Sequence, residues 1–476
     1  MTPPHRDDAE RPVAALLAPD ILALLEESPE AVALETEEMH PADLADVAEA
    51  LPEDRLVAFL TALPAARAAD VLEYLDEETR SVALEAMTTR QAAALVTEMQ
   101  PDDRADVLEE LEEQRAEEIL QEIPAEERAE TEALLQYEPD SAGGRMTTQF
   151  VSAAETLTVE EALRSVRAMA RSERREALYT VYTTDSAGRL LGVLSLRELL
   201  AAPEGALLAD VAWTEVQTVT PTVSQEEVAR LASDYDLVAV PVVDDERRLL
   251  GVVTVDDVID AIEEEQTEDV QKLGGMEALD EPYMQIGFAK MLRKRAGWLS
   301  ILMVSEMFTT SVLQHYDVEL QKAAVLVLFV PLVMSSGGNS GSQSTSLITR
   351  AMALGEVDLR DWWRVALREF PAGAAMGAIL GVIGIVRILL WQHFGLYDYT
   401  SHGTVAVGRI ALTIATALVG IVTFGSLTGS MLPFALRRLG FDPASASAPL
   451  VATLVDMTGL TIYFTVALLF LRGTLL

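Results

Sequence analysis

The stretch FDPASASAPLVATLVDMTGLTIYFTVALLFL at 441–471 decides the fold class. From about residue 446 it is apolar for longer than the ~20 residues a helix needs to cross a bilayer core. Asp456 stands about a third of the way along this apolar run. A bare carboxylate at that depth costs about 3 kcal/mol or more unless it faces water, a partner or an ion. Ser445, Ser447, Thr453, Thr458 and Thr461 accompany it. Pro443 and Pro449 predict interrupted helical hydrogen bonds that free carbonyls nearby. An Asp bonded to a neighbouring helix for packing alone is the plainer alternative.

Four further apolar stretches precede this one, at about 297–314, 323–348, 370–391 and 405–435, and the first and shortest carries Glu306. Five spans are therefore expected. Basic residues orient them. With a cytoplasmic N-terminus the inner flanks hold Arg293, Lys294, Arg295, Arg350, Arg360, Arg364, Arg368, Arg437 and Arg438. The outer flanks hold Lys322, Arg409 and Arg472, so the excess lies inside, as such proteins require. An odd number of spans then leaves the C-terminus outside. The polar start, MTPPHRDDAERP, predicts no N-terminal targeting segment, so the region before the spans should stay in the cytoplasm.

The second span carries PLVMSSGGNSGSQSTSLITR at 331–350. Gly337, Gly338 and Gly341 permit close backbone approach, which a small-residue helix contact also explains. Asn339 and Gln343 supply amide oxygens, and with Asp456 they suggest an oxygen-lined route suited to hard cations. A serine hydrolase built on Ser340 or Ser342 would need a base. The histidines are His5, His40, His315, His393 and His402, the last three on outer loops or span ends, with Lys322 also at an end. Transport is therefore favoured over an enzyme.

Charge divides the chain. The net charge is -41, yet residues 283–476 hold 10 acids and 14 bases, leaving 66 acids and 21 bases to residues 1–282. Such a field draws cations and repels nucleic acid. The chain has no cysteine, which excludes disulfides and thiolate metal sites. Residues about 12–135 read as short helices, with Ala-Asp-Val at 45–47, 69–71 and 105–107 and prolines 41, 52, 64, 101 and 124 near turns. Offsets in multiples of about 12 suggest stacked helices in a superhelix.

Residues about 146–262 contain a repeat. YTVYTTDSAGRLLGVLSLRELL at 179–200 resembles VAVPVVDDERRLLGVVTVDDVID at 238–260, with Gly192 equivalent to Gly251. Each copy reads strand, turn, strand, helix, and the pair resembles tandem CBS domains. That resemblance implies a Ser/Thr-x-x-Asp ribose site, here Thr254 to Asp257 with Ser195 to Glu198 as the weaker copy. It carries ATP as one option, since some pairs bind adenine nucleotides and others none.

DDVIDAIEEEQTEDVQKL follows, and on a helix Asp257, Asp260 and Glu264 share one face beside a stripe of Glu265, Glu268 and Asp269. Like charges at these spacings destabilise a helix, and no lysine offsets them before Lys272. A solvated face is the plain reading. A divalent-cation site completed by acids such as Asp234, Asp236 and Glu226 is the alternative.

The order of parts resembles the MgtE family of magnesium transporters over nearly the whole chain. GGNSGSQS at 337–344, LPFALRRLGFDPA at 432–444 and PLVATLVDMTGL at 449–460 carry the resemblance, supported by YEPDSAGGRMT at 137–147 and TEDVQKL at 267–273. It implies a multi-domain membrane protein: an all-α superhelical N-domain at 1–145, α/β CBS copies at 146–207 and 208–262, a plug helix at 263–292 and five spans at 293–476. It further implies a homodimer with the pore between subunits, transported Mg²⁺ at Asp456 with Asn339, and Asp442 near the pore mouth. Regulatory Mg²⁺ is implied at Asp257, Asp260, Glu265, Glu268, Asp269, Asp236 and Glu226, with Asp102 and Asp103 from the N-domain. The chain departs from the family at Ser342, Ala448 and Ser224, where Asn, Asn and an acid respectively occur. A broader carrier for Mn²⁺ or Co²⁺, and a non-transporting membrane sensor, are the competing readings.

Overall fold

The computed structural model describes residues 12–172, 179–279, 283–284, 286–322, 324–399 and 407–472. His5 and His402 lie outside them. The chain forms two compact units, residues 1–265 and 266–476.

The first unit begins with ten helices: α1 Pro12–Glu27, α2 Pro29–Glu35, α3 Pro41–Glu49, α4 Glu53–Ala62, α5 Ala65–Tyr74, α6 Glu77–Ala86, α7 Thr89–Glu98, α8 Pro101–Glu110, α9 Glu113–Glu122 and α10 Ala125–Leu134. From α4 onward a new ten-residue helix starts every 12 residues. The prolines act as expected: Pro41 and Pro101 open helices, and Pro52, Pro64 and Pro124 are N-caps. Each helix packs on the one two places along, which makes the predicted superhelix. Arginines tie this stack together. The buried Arg104 donates to the carbonyls of Val96 (3.1 Å) and Met99 (3.0 Å), and Arg115 to those of Leu84 and Met87 (2.7 Å each). Helix C-termini leave carbonyls without intrahelical partners, and these guanidinium groups supply them.

The repeat predicted at 179–260 is a pair of equivalent sheets. In the first copy β1 Val151–Ala154 runs parallel to β2 Thr180–Thr184, which pairs antiparallel with β3 Leu190–Ser195. In the second, β4 Ala239–Val243 pairs with β5 Leu249–Thr254. Gly192 faces Thr183 and Gly251 faces Val242, and both hairpins have an irregularity just after that pair. The copies are joined by Leu190 N–H to Arg247 O (2.8 Å) and Leu249 N–H to Gly188 O (3.2 Å). Around the sheets lie α11 Val159–Ser172, α12 Leu196–Ala201, α13 Leu208–Val211 and α14 Gln225–Tyr235. The following α15, Val255–Leu273, is one unbroken helix.

The second unit holds α16 Phe288–His315, the short α17 Asp317–Lys322 and α18 Ala324–Val327, then α19 Val330–Ala353, α20 Trp362–His393, α21 Val407–Arg438 and α22 Ala448–Leu471. Five helical stretches are long and apolar enough to span a membrane. Helices α19, α20, α21 and α22 form the packed bundle, and α16 lies along α22. Glycines set the closest crossing. A Cβ at Gly425 would stand 2.3 Å from Gly337 O, and one at Gly429 2.0 Å from Gly341 O. The helix-contact reading of Gly337 and Gly341 therefore holds.

The expected breaks at Pro443 and Pro449 do not occur. Pro443 opens a single 3-10 turn and Pro449 lies in the first turn of α22, where a missing N–H costs nothing. Beyond the first turn, the described membrane helices carry Pro371 in α20 and Pro433 in α21.

Candidate cation sites

Helix α8 follows Gln100 with PDDRADVLEE, which puts Asp102, Asp103 and Asp106 within two turns. Helix α15 starts with VDDVID, placing Asp256, Asp257 and Asp260 likewise. The fold brings these two acidic ends together. Asp102 and Asp257 each hold protons well above the ordinary carboxylate range. Burial is the largest cause, followed by the charge of Asp103 for both, with Asp257 also raising Asp102. Burial and then Asp106 push Asp103 up to about 7, against the opposing pull of Arg80. Asp106 and Asp260 are also raised, chiefly by burial. Asp102 is 6 % exposed, and its Oδ1 has no hydrogen-bond partner. Such a buried acceptor is expensive unless something donates to it or coordinates it.

Arg145 partly balances the group through an ion pair with Glu264, and it lowers the proton affinity of Asp106 and Asp260. The amide of Gln225 donates to Glu265 Oε1 (3.2 Å). Glu226 and Asp236 are not drawn into the cluster. Both are exposed, Glu226 in the first turn of α14 and Asp236 just past its last residue. Asp236 instead ends α14 with a left-handed backbone, φ 52.

Further along α15 the lysine expected to offset the acids does so. Lys272 pairs with Glu268, and its Nζ lies 2.6 Å from Asp442 Oδ2. Asp442 also accepts from Ala444 N–H (2.8 Å), capping the 3-10 turn before α22. Asp269 is half-buried on the same helix.

In the bundle, Asp456 is half-buried on α22. The Glu306 carboxylate on α16 lies within its electrostatic reach. Asn339 is exposed and donates to Ser335 Oγ (3.4 Å), and no hydrogen bond joins it to Asp456 among the described residues. Ser335, Asn339 and Gln343 recur every fourth residue and are all exposed, a polar stripe on an apolar helix. Two charged groups in spans escaped the sequence reading. Glu369 accepts from Ser344 Oγ (2.7 Å), and Arg387 lies over the rings of Phe329 and Trp391.

Among the described residues, no three His, Asp or Glu side chains converge to hold a bare metal ion. The donor chemistry nevertheless fits Mg²⁺, which keeps several waters and binds through one or two carboxylates. A separate cavity of about 270 Å³ opens between the CBS copies, lined by Tyr179, Thr180, Val238, Ala239, Thr254 and Asp256. The Thr254 hydroxyl there donates to Asp257 Oδ2 (2.6 Å).

Comparison with known proteins gives a consistent result. Residues 330–466 match the family described as a divalent cation transporter, residues 39–140 match the MgtE intracellular N domain, and 142–205 and 208–264 match CBS domains. A relative in Thermus thermophilus, "Magnesium transporter MgtE", is 44 % identical over 344 residues, 72 % of this chain and 73 % of that protein. Another of the same name in Enterococcus faecalis is 35 % identical over 343 residues, 72 % of each. A crystal structure of the soluble part of a magnesium transporter aligns with 54 % of this chain and 99 % of its own, at 32 % identity and a TM-score of 0.50.

Proposed function

The chain belongs to the MgtE family of magnesium transporters, and we propose that its Mg²⁺ passes Asp456 in a pore between two copies under the control of the α8–α15 acids. It is a membrane-spanning Mg²⁺ transporter. The finer reading is supported above all by one observation: acids from two helices meet while Asp102 Oδ1 stays buried and unpartnered. Natural folds avoid that cost unless a ligand offsets it.

At the cytoplasmic acids, Asp102, Asp103, Asp257 and Asp260 would hold Mg²⁺, whose charge cancels their mutual repulsion. At low Mg²⁺ the repulsion favours separation of α8 from α15. Helix α15 carries these acids at one end and the Glu268–Lys272–Asp442 pairs at the other, so a change at its start bears on the loop before α22. Glu265 and Asp269, between the two, belong to the same sensor. At the pore, the exposed stripe of Ser335, Asn339 and Gln343 favours a second copy, because exposed amides in hydrocarbon need water or a partner. Two Asp456 carboxylates around such an axis would hold the ion through its waters. The N-terminus is cytoplasmic and the C-terminus external in this reading, as the basic flanks require, in a plasma or inner membrane. The CBS cavity is proposed for ATP, with Thr254 and Asp256 as the polar groups on its wall toward α15.

Mg²⁺ uptake into proteoliposomes tests the pore assignment. Asp456→Ala is expected to abolish it, by about a hundredfold or more. Uptake retained with the same ion preference would remove Asp456 from the pathway.

A further inference from the structure

Helix α16 buries little, and its two buried residues after Phe288 are Leu302 and Thr309. Glu306 stands between them at helical spacing, four residues after Leu302 and three before Thr309, so all three share one face. The packing partner of α16 in the bundle is α22, which carries Asp456. Glu306 therefore belongs to the face turned to α22, and its carboxylate is close enough to repel that of Asp456. The rest of α16 around it is exposed and apolar, with Met303, Val304, Met307 and Phe308 each more than half exposed.

Thr309 gives an independent sign. It is 7 % exposed, yet its hydroxyl has no partner. Several hydroxyls in α16 and α22 bond back to the preceding turn: Ser300 to Ala296 O (2.7 Å), Thr453 to Pro449 O (2.9 Å) and Thr458 to Leu454 O (2.6 Å). Thr309 forgoes that bond. A helical side chain lies over the turn N-terminal to its own Cα, so the Thr309 side chain lies over the turn that carries Glu306. The face thus presents two carboxylates and one free hydroxyl oxygen, with no basic side chain among the residues named.

We propose that Glu306 and Thr309 form a second divalent-cation position beside Asp456, occupied by the transported ion. The proposal rests on Asp456 being the pore carboxylate. Two carboxylates on facing helices and a hydroxyl suit an Mg²⁺ that keeps most of its waters. Two adjacent positions also let an incoming ion repel the one ahead, which allows tight entry without trapping.

The test is Mg²⁺ uptake by the full chain in proteoliposomes over a range of Mg²⁺ concentrations. Glu306→Gln is expected to raise the half-saturating Mg²⁺ about tenfold or more, and Thr309→Val about two- to fivefold, as expected for lost ligands. Glu306→Asp should recover most of the wild-type value, which a packing role for Glu306 would not produce. Asp456→Asn runs in parallel. Wild-type half-saturation in Glu306→Gln, with uptake lost in Asp456→Asn, overturns the second position alone. Normal uptake in Asp456→Asn overturns the pore assignment and this proposal with it. If Glu306→Gln does not fold, an unchanged half-saturation in Thr309→Val overturns the proposal.

Discussion

At the scale of single residues, Asp102, Asp103 and Asp257 hold protons more tightly than free carboxylates because burial and neighbouring acids disfavour their charge. The sign of the pH dependence follows. Groups raised by folding make the docked α8–α15 arrangement bind more protons than the separated one. The stability these protons contribute is fullest below the ordinary carboxylate range and is lost as pH rises through about 7. Without Mg²⁺, amide exchange of α8, corrected for intrinsic rates, should be at least about tenfold slower at pH 6 than at pH 8. Millimolar Mg²⁺ should restore protection at pH 8. Exchange independent of pH and Mg²⁺ would show that these acids do not govern docking.

Legibility differed among these residues for physical reasons. Asp257 and Asp260 could be read from helical spacing alone, because like charges crowding one face are a local fact. Asp106, Asp256 and Arg145 were missed, since their roles arise from helices more than a hundred residues apart. Asp236 and Glu226 were grouped with the α15 acids from charge, and the structure leaves both exposed at opposite ends of α14.

Among elements, the glycines of α19 and α21 set the tightest constraint. With Gly429 against the Gly341 carbonyl, an added methyl group has no flexible side chain to displace, only backbone. Gly429→Ala should destabilise the bundle by about 2 kcal/mol or more, read as a fall in melting temperature in detergent. A melting temperature equal to wild type would mean that the helices do not cross this closely. The sequence suggested both a contact and a cation route for these glycines, and one span cannot say which helix lies opposite. The N-domain was more legible, because Pro41, Pro52, Pro64, Pro101 and Pro124 mark helix starts whatever the neighbours are. The same reasoning failed at Pro443 and Pro449, since a proline at a helix start and one inside a helix look alike in an apolar run.

For the whole molecule, the proposed function gives the charge division along the chain a purpose: in that proposal the acidic front reads the ion that the apolar back conducts. The proposal assigns the connection to helix α15 and its Lys272 pairs. Replacing Lys272 by Met should leave Glu268 and Asp442 unpaired and shift the Mg²⁺ concentration that half-inhibits flux by about threefold or more. An unchanged midpoint would remove Lys272 from the connection. The most direct test is Mg²⁺ flux against cytoplasmic Mg²⁺ after neutralising Asp257, Asp260, Glu268 and Asp269 together. Flux should persist and no longer fall as cytoplasmic Mg²⁺ rises, whereas inhibition at the wild-type Mg²⁺ concentration would contradict the account.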